Sequence, residues 1–188
     1  TQRGYDEQGA LLWERAADGA TVHYRYDLAG QLVAEVSPTG AVTNYEYGNA
    51  GRLIGVAYPD GSSVQLDYDR EGRLLAVADE SGRRHTFELS ASGLVVSETS
   101  VDGRTTRFRH DAMGRVVMRK AGSRSVAFEY DAAGQLVAKS YSDGTAEAFT
   151  YDSFGNVASM QGPHGSVRYE RNPLGWITRE EQLSQGRT

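Results

Sequence analysis

The sequence predicts an all-β fold, an antiparallel β-hairpin meander of about nine repeats of roughly 21 residues each. Three observations predict it. Two glycine series interleave in nearly fixed phase, a polar–apolar alternation precedes one series, and an aliphatic pair follows it.

The first glycine series runs Gly9, Gly30, Gly51, Gly72, Gly93, Gly114, Gly134, Gly155 and Gly175, at spacings of 21, 21, 21, 21, 21, 20, 21 and 20. The second runs Gly19, Gly40, Gly61, Gly82, Gly103, Gly122, Gly144, Gly165 and Gly186. Only the stretch "RKAGSRS" around Gly122 slips register. Glycine every ten or eleven residues would break any helix.

Ahead of the motif glycine, Tyr24, Tyr45, Leu66, Phe87, Phe108, Phe128, Phe149 and Tyr169 hold one large apolar position. The next position is polar throughout, from Arg25 and Glu46 to Thr150 and Glu170. Such alternation is that of a half-buried strand. After the glycine come Leu11, Leu32, Leu53, Leu74, Val95, Val116, Leu136, Val157 and Ile177, mostly followed by a second aliphatic residue. Neighbouring strand residues face opposite sides, so this pair predicts apolar character on both faces.

The turns explain the remaining conserved spacing within the chain. In Asp27-Leu28-Ala29-Gly30 the aspartate suits position i of a type I turn and the glycine position i+3. The carboxylate accepts backbone amides and the glycine supplies positive φ. Asp60-Gly61, Asp102-Gly103 and Asp143-Gly144 mark the opposite turns as hairpins. Roughly 18 strands at about 4.8 Å make a ribbon on the order of 80 Å long and about 20 Å wide. Open sheets beyond ~10 strands curl, so a hollow spiral is expected. Residues 1–188 read as a single array without distinct end units, hence a fragment of a larger one.

Composition excludes several classes. Twenty basic residues against 25 acidic ones give a net charge of −5, interspersed rather than blocked, which is no nucleic-acid footprint. There is no cysteine, so no disulfide, thiolate chemistry or cysteine metal site. No apolar run reaches the ~18 to 20 residues of a membrane-spanning helix, and no targeting segment is visible.

By these residues the chain resembles the Rhs/YD-repeat family over essentially its whole length. The signature stands as "YRYDLAGQL", "LDYDREGRL" and "FEYDAAGQL", with weaker copies such as "FRHDAMGRV" and "YERNPLGWI". The resemblance implies a β-cage, part of a hollow shell that encloses a C-terminal toxin domain before delivery. It implies partners among other segments of the same polypeptide and among delivery components, and a secreted or cell-surface location. The alternative is a teneurin-like adhesion or carbohydrate-binding role. The family's autoproteolytic aspartate junction and toxin have no counterpart in this stretch.

No catalytic, cofactor or metal residue is expected. Six turn-initiating positions are Asp6, Asp27, Asp69, Asp111, Asp131 and Asp152, which raises a calcium array. Gly48, Ser90 and Asn172 fill the other three, and one carboxylate per turn falls short of the six to eight oxygens of a calcium site. His23, His85, His110 and His164 show no metal or nucleophile spacing. Stacked aromatics can bind glycans, but the two tryptophans, Trp13 and Trp176, lie outside the repeated aromatic slot, so the ladder reads as cross-strand packing.

Overall fold

A computed structural model describes residues 1–184, so Gly186 lies outside the described residues. Those residues form 18 strands and no helix. They cluster into two compact units, Thr1–Leu89 with Thr99–Asp102, and Ser90–Glu98 with Gly103 onward.

The first unit carries β1 (Gln2–Tyr5), β2 (Leu11–Arg15), β3 (Thr21–Tyr26), β4 (Leu32–Val36), β5 (Val42–Tyr47), β6 (Leu53–Ala57), β7 (Ser63–Tyr68), β8 (Leu74–Asp79) and β9 (Arg84–Leu89). Each pairs antiparallel with the next. The second unit carries most of β10 (Val95–Thr99), then β11 (Thr105–His110), β12 (Val116–Ala121), β13 (Arg124–Tyr130), β14 (Leu136–Tyr141), β15 (Ala146–Tyr151), β16 (Val157–Gly162), β17 (Gly165–Arg171) and β18 (Ile177–Ser184). From β11 to β18 the pairing is again consecutive and antiparallel.

Turn chemistry sets the register. At the motif turn Gly30 N–H donates to the Asp27 carbonyl at 3.1 Å, and Asp27 N–H donates to the Gln31 carbonyl at 2.9 Å. Gly30 has φ +78°, and among the described residues none other than glycine has positive φ. This is a type I turn closed by a left-handed glycine, the three-residue hairpin loop with a bulge. The opposite turns have the same form. At Tyr58-Pro59-Asp60-Gly61, Gly61 N–H donates to the Tyr58 carbonyl at 3.1 Å. The Asp-Gly pairs are therefore not two-residue loops, because those need positive φ at the aspartate as well.

True two-residue loops stand where Ala121 pairs Arg124 and where Gly162 pairs Gly165. Each lacks a loop residue, and each falls in one of the two repeats with a spacing of 20 instead of 21. The register slip at Gly122 thus has a second instance at Pro163-His164. There Gly165 opens β17 rather than closing a turn, contrary to the glycine series read from sequence.

A second bulge shapes the two faces of each sheet. Tyr26 pairs Leu32 while Arg25 pairs Ala34, so Val33 is the extra residue. The same shift recurs at Glu46/Tyr47, Asp67/Tyr68, Arg109/His110, Glu129/Tyr130 and Thr150/Tyr151. One face then pairs the polar position with a small residue: Arg25 with Ala34, Glu46 with Gly55, Asp67 with Ala76, Glu129 with Ala138. The other holds the aromatic ladder, with pairs such as Tyr45–Val56, Leu66–Val77 and Phe149–Met160. Its members stay half-buried, and among the described residues no large side chain is fully buried. Among the described residues Ala34, Ala76 and Ala78 are the buried apolar ones, each standing between longer polar residues on the two neighbouring strands. Each unit is a sheet without a second layer.

Candidate functional site

The repeated Tyr-Asp-x-x-Gly residues are where chemistry would reside, and each has work within the sheet. The carboxylate of Asp27 accepts the amides of Ala29 and Gln31, both at 2.9 Å. Asp6, Asp111 and Asp152 hold the amides two and four residues on in the same way. Asn172 does so through its side-chain oxygen, at 3.0 Å to both Leu174 and Trp176. Ser90 reaches the Leu94 amide at 3.1 Å. An amide oxygen or hydroxyl serves as well as a carboxylate because the task is to accept N–H bonds.

The tyrosine has a role that alternation alone conceals. Where the bulge forms, the ladder between one repeat and the next ends early, and the first carbonyl of the aliphatic pair loses its strand partner. The motif tyrosine of the following repeat reaches it. Tyr26 Oη donates to the Leu11 carbonyl at 3.1 Å, Tyr68 to Leu53 at 2.9 Å, Tyr130 to Val116 at 2.9 Å and Tyr151 to Leu136 at 2.7 Å. Arg171, in the tyrosine slot, donates to the Val157 carbonyl at 2.6 Å. We expect Tyr130→Phe to cost about 1 kcal/mol in urea unfolding, as a part-buried acceptor loses its donor. An unchanged midpoint would show that water replaces the hydroxyl freely.

The residue after the motif glycine links turns in the other direction. A Cβ at Gly51 would lie 2.9 Å from Gln31 Nε2, and one at Gly155 3.1 Å from Gln135 Nε2. Arg52 occupies the corresponding space over Gly72. Arg115 binds the Asp111 carboxylate at 2.7 Å and lies 4.6 Å from the Tyr130 ring centroid. Hydrogen bonds also set the acidity of the turns. The Ser81 hydroxyl, with the Arg83 guanidinium and amide, outweighs partial burial and holds the Asp79 carboxyl at about 2.

Gly48 is the exception among the motif turns. Its turn closes through the backbone alone, with Gly48 N–H to the Arg52 carbonyl at 2.9 Å. Gly48→Asp should supply the missing acceptor for Ala50 and Arg52, since Gly48 has negative φ. Ile54 Cγ2 stands 3.1 Å from the new Cβ and must yield slightly. The expected gain is about 0.5–1 kcal/mol by chemical unfolding. A loss of stability would mean that Ile54 cannot move.

The histidines remain dispersed. His85 packs on Phe87 with ring centroids 4.7 Å apart, on the shared face that alternation predicts. His23 pairs Trp13 across β2 and β3, and His110 stands opposite Val116 at a bulge. Among the described residues no group of three or more His, Asp or Glu could hold a metal ion. Trp13 lies over Gly4 on the neighbouring strand, and Trp176 is 70% exposed beside the Asn172 turn.

Comparison with known proteins places this geometry. The teneurin YD-shell family matches residues 1–106, and the RHS repeat family matches residues 90–126 and 130–167. No curated protein sequence matches the chain. Among solved structures, TcdB2-TccC3 without its hypervariable C-terminal region shares the fold at a TM-score of 0.72 and 16% identity, over 97% of this chain and 11% of that one. The Photorhabdus luminescens Tc holotoxin pore matches at a TM-score of 0.66 and 14% identity, over 96% of this chain and 12% of that one. The chain therefore spans about an eighth or less of the length of those chains.

Proposed function

Because the chain belongs to the Rhs/YD-repeat family, we propose that it is a wall segment of a cage enclosing a polypeptide, a C-terminal toxin domain of the same protein, until delivery. The observation that carries this reading is the employment of the motif side chains. Aspartate closes its turn and tyrosine ties that turn to the previous repeat, leaving neither as a free nucleophile, base or ligand. The wall acts sterically, and none of its residues is catalytic or binds a metal. Its partners are other segments of its own polypeptide and the components that deliver it outside the producing cell.

The experiment is limited proteolysis of the full-length protein. The payload region should survive protease concentrations that digest the same region expressed alone. Equal digestion rates would end the container reading. A second reading, adhesion or glycan binding at a cell surface, is favoured by apolar turn tips: Leu28, Met113, Phe154 and Leu174 are all at least 78% exposed. A glycan array with the full-length protein distinguishes the two, since a plain container gives no signal.

A further inference from the structure

We propose that Arg107 and Lys120 form a binding site for a phosphate-type oxyanion. The two residues stand directly opposite each other on β11 and β12, and both are exposed. Directly opposed residues hold their Cβ atoms about 4.5–5.5 Å apart, and like charges so placed destabilise a sheet. The equivalent pairs in other repeats avoid this. They are His23–Val36, Asn44–Ala57, Gln65–Ala78, Ala127–Ser140, Ala148–Gln161 and the oppositely charged Arg168–Glu181. Unlike in those pairs, two fixed cations face each other here, in a chain whose net charge is −5.

Among the described residues neither cation has a hydrogen-bonded or ion-paired partner. On the same face of β11, β12 and β13 (set by Arg107–Lys120 and Lys120–Ser125) the carboxylate is Glu129, four residues along from Ser125. That is roughly 13 Å of extended strand, beyond a Debye length of about 10 Å at 0.1 M salt.

The pair also lines a groove of about 500 Å³, together with Arg104, Thr105, Ala121 and Gly122. Gly122, in the tight loop beside the groove, has nothing within 4 Å of where a Cβ would stand. A guanidinium fork and an ammonium lining one groove from adjacent strands suit a compact dianion, which Arg grips by two parallel N–H bonds. An occupant would convert a repulsive pair into two charge-assisted contacts.

The test is thermal melting and calorimetric titration of the chain with inorganic phosphate, against chloride at matched ionic strength. Phosphate should raise the melting temperature and chloride should not. Arg107→Gln and Lys120→Gln should each melt at or above the wild-type temperature without phosphate, because the repulsion is gone. Each should weaken phosphate binding about tenfold or more, the loss expected for one charge-assisted contact. Polyphosphate as a further probe separates the sources: binding much tighter than that of inorganic phosphate assigns the site to a phosphate-bearing polymer. An equal response to chloride, or a full phosphate response in the double variant, would overturn the site. Tighter binding of polyglutamate than of polyphosphate would overturn its phosphate character.

Discussion

Gly72→Val is expected to destabilise the first unit by about 2–3 kcal/mol, a large effect for a half-buried turn position. Two causes combine. Gly72 has φ +84°, a conformation that a β-branched residue adopts only under strain. Its missing side chain also makes room for the Arg52 guanidinium of the preceding repeat. The valine methyl groups would displace that rung and leave the turn tied to its neighbour by Tyr68 alone, through the Leu53 carbonyl. Gly72→Asn should cost about half as much, since asparagine tolerates the left-handed region better. Urea unfolding of both variants measures the difference. A valine variant as stable as wild type would show that neither the turn conformation nor the Arg52 rung matters.

Acid is expected to loosen many turns together. The Asp60, Asp69, Asp79, Asp111, Asp143 and Asp152 carboxyls are all held below their ordinary value. At Asp60 and Asp143 the cause is first the neighbouring hydroxyl, of Ser62 and Thr145, and then that residue's amide. At Asp69 and Asp111 burial pushes the carboxyl up, but the amide and guanidinium of Arg73 and Arg115 outweigh it. A folded value below the unfolded value of about 3.9 means the carboxylate form stabilises the fold. That stability is complete above the unfolded value and is lost as pH falls through the folded one, which for Asp79 is about 2. The melting temperature should therefore stay level from about pH 7 to 5 and fall continuously from about pH 4 to 2. A flat profile through that window would mean that the turn carboxylates contribute little.

The repeat period, the turn residues and the strand alternation were all legible because each is local. Type I turns with glycine at the fourth position follow from Asp27 and Gly30 within four residues. The aromatic face and its polar reverse follow from period-two alternation. What sequence could not reveal depends on register. Val33 is an extra residue only because Tyr26 pairs Leu32, a fact fixed by two turns acting together. From that bulge follow the pairing of the polar position with a small residue and the early end of the ladder at Leu11. The tyrosine hydroxyl finds its acceptor 14 or 15 residues back, beyond any local pattern. One signal did point to it: Arg171 replaces the tyrosine with another long donor, which suits a hydrogen bond and not an apolar packing role. The two spacings of 20 were a similar signal, since each marks a turn one residue shorter.

Amide hydrogen exchange at Asp131 distinguishes an aspartate that serves the sheet itself from one that serves a ligand. Asp131 holds the Gln135 amide at 2.9 Å. That amide should exchange slowly in the wild type and in Asp131→Asn, which keeps the acceptor, and quickly in Asp131→Ala. Added calcium or chelator should change neither the exchange nor the melting temperature. A wild-type amide that becomes protected only with calcium, together with a melting temperature that chelator lowers and calcium restores, would make these turns a metal array.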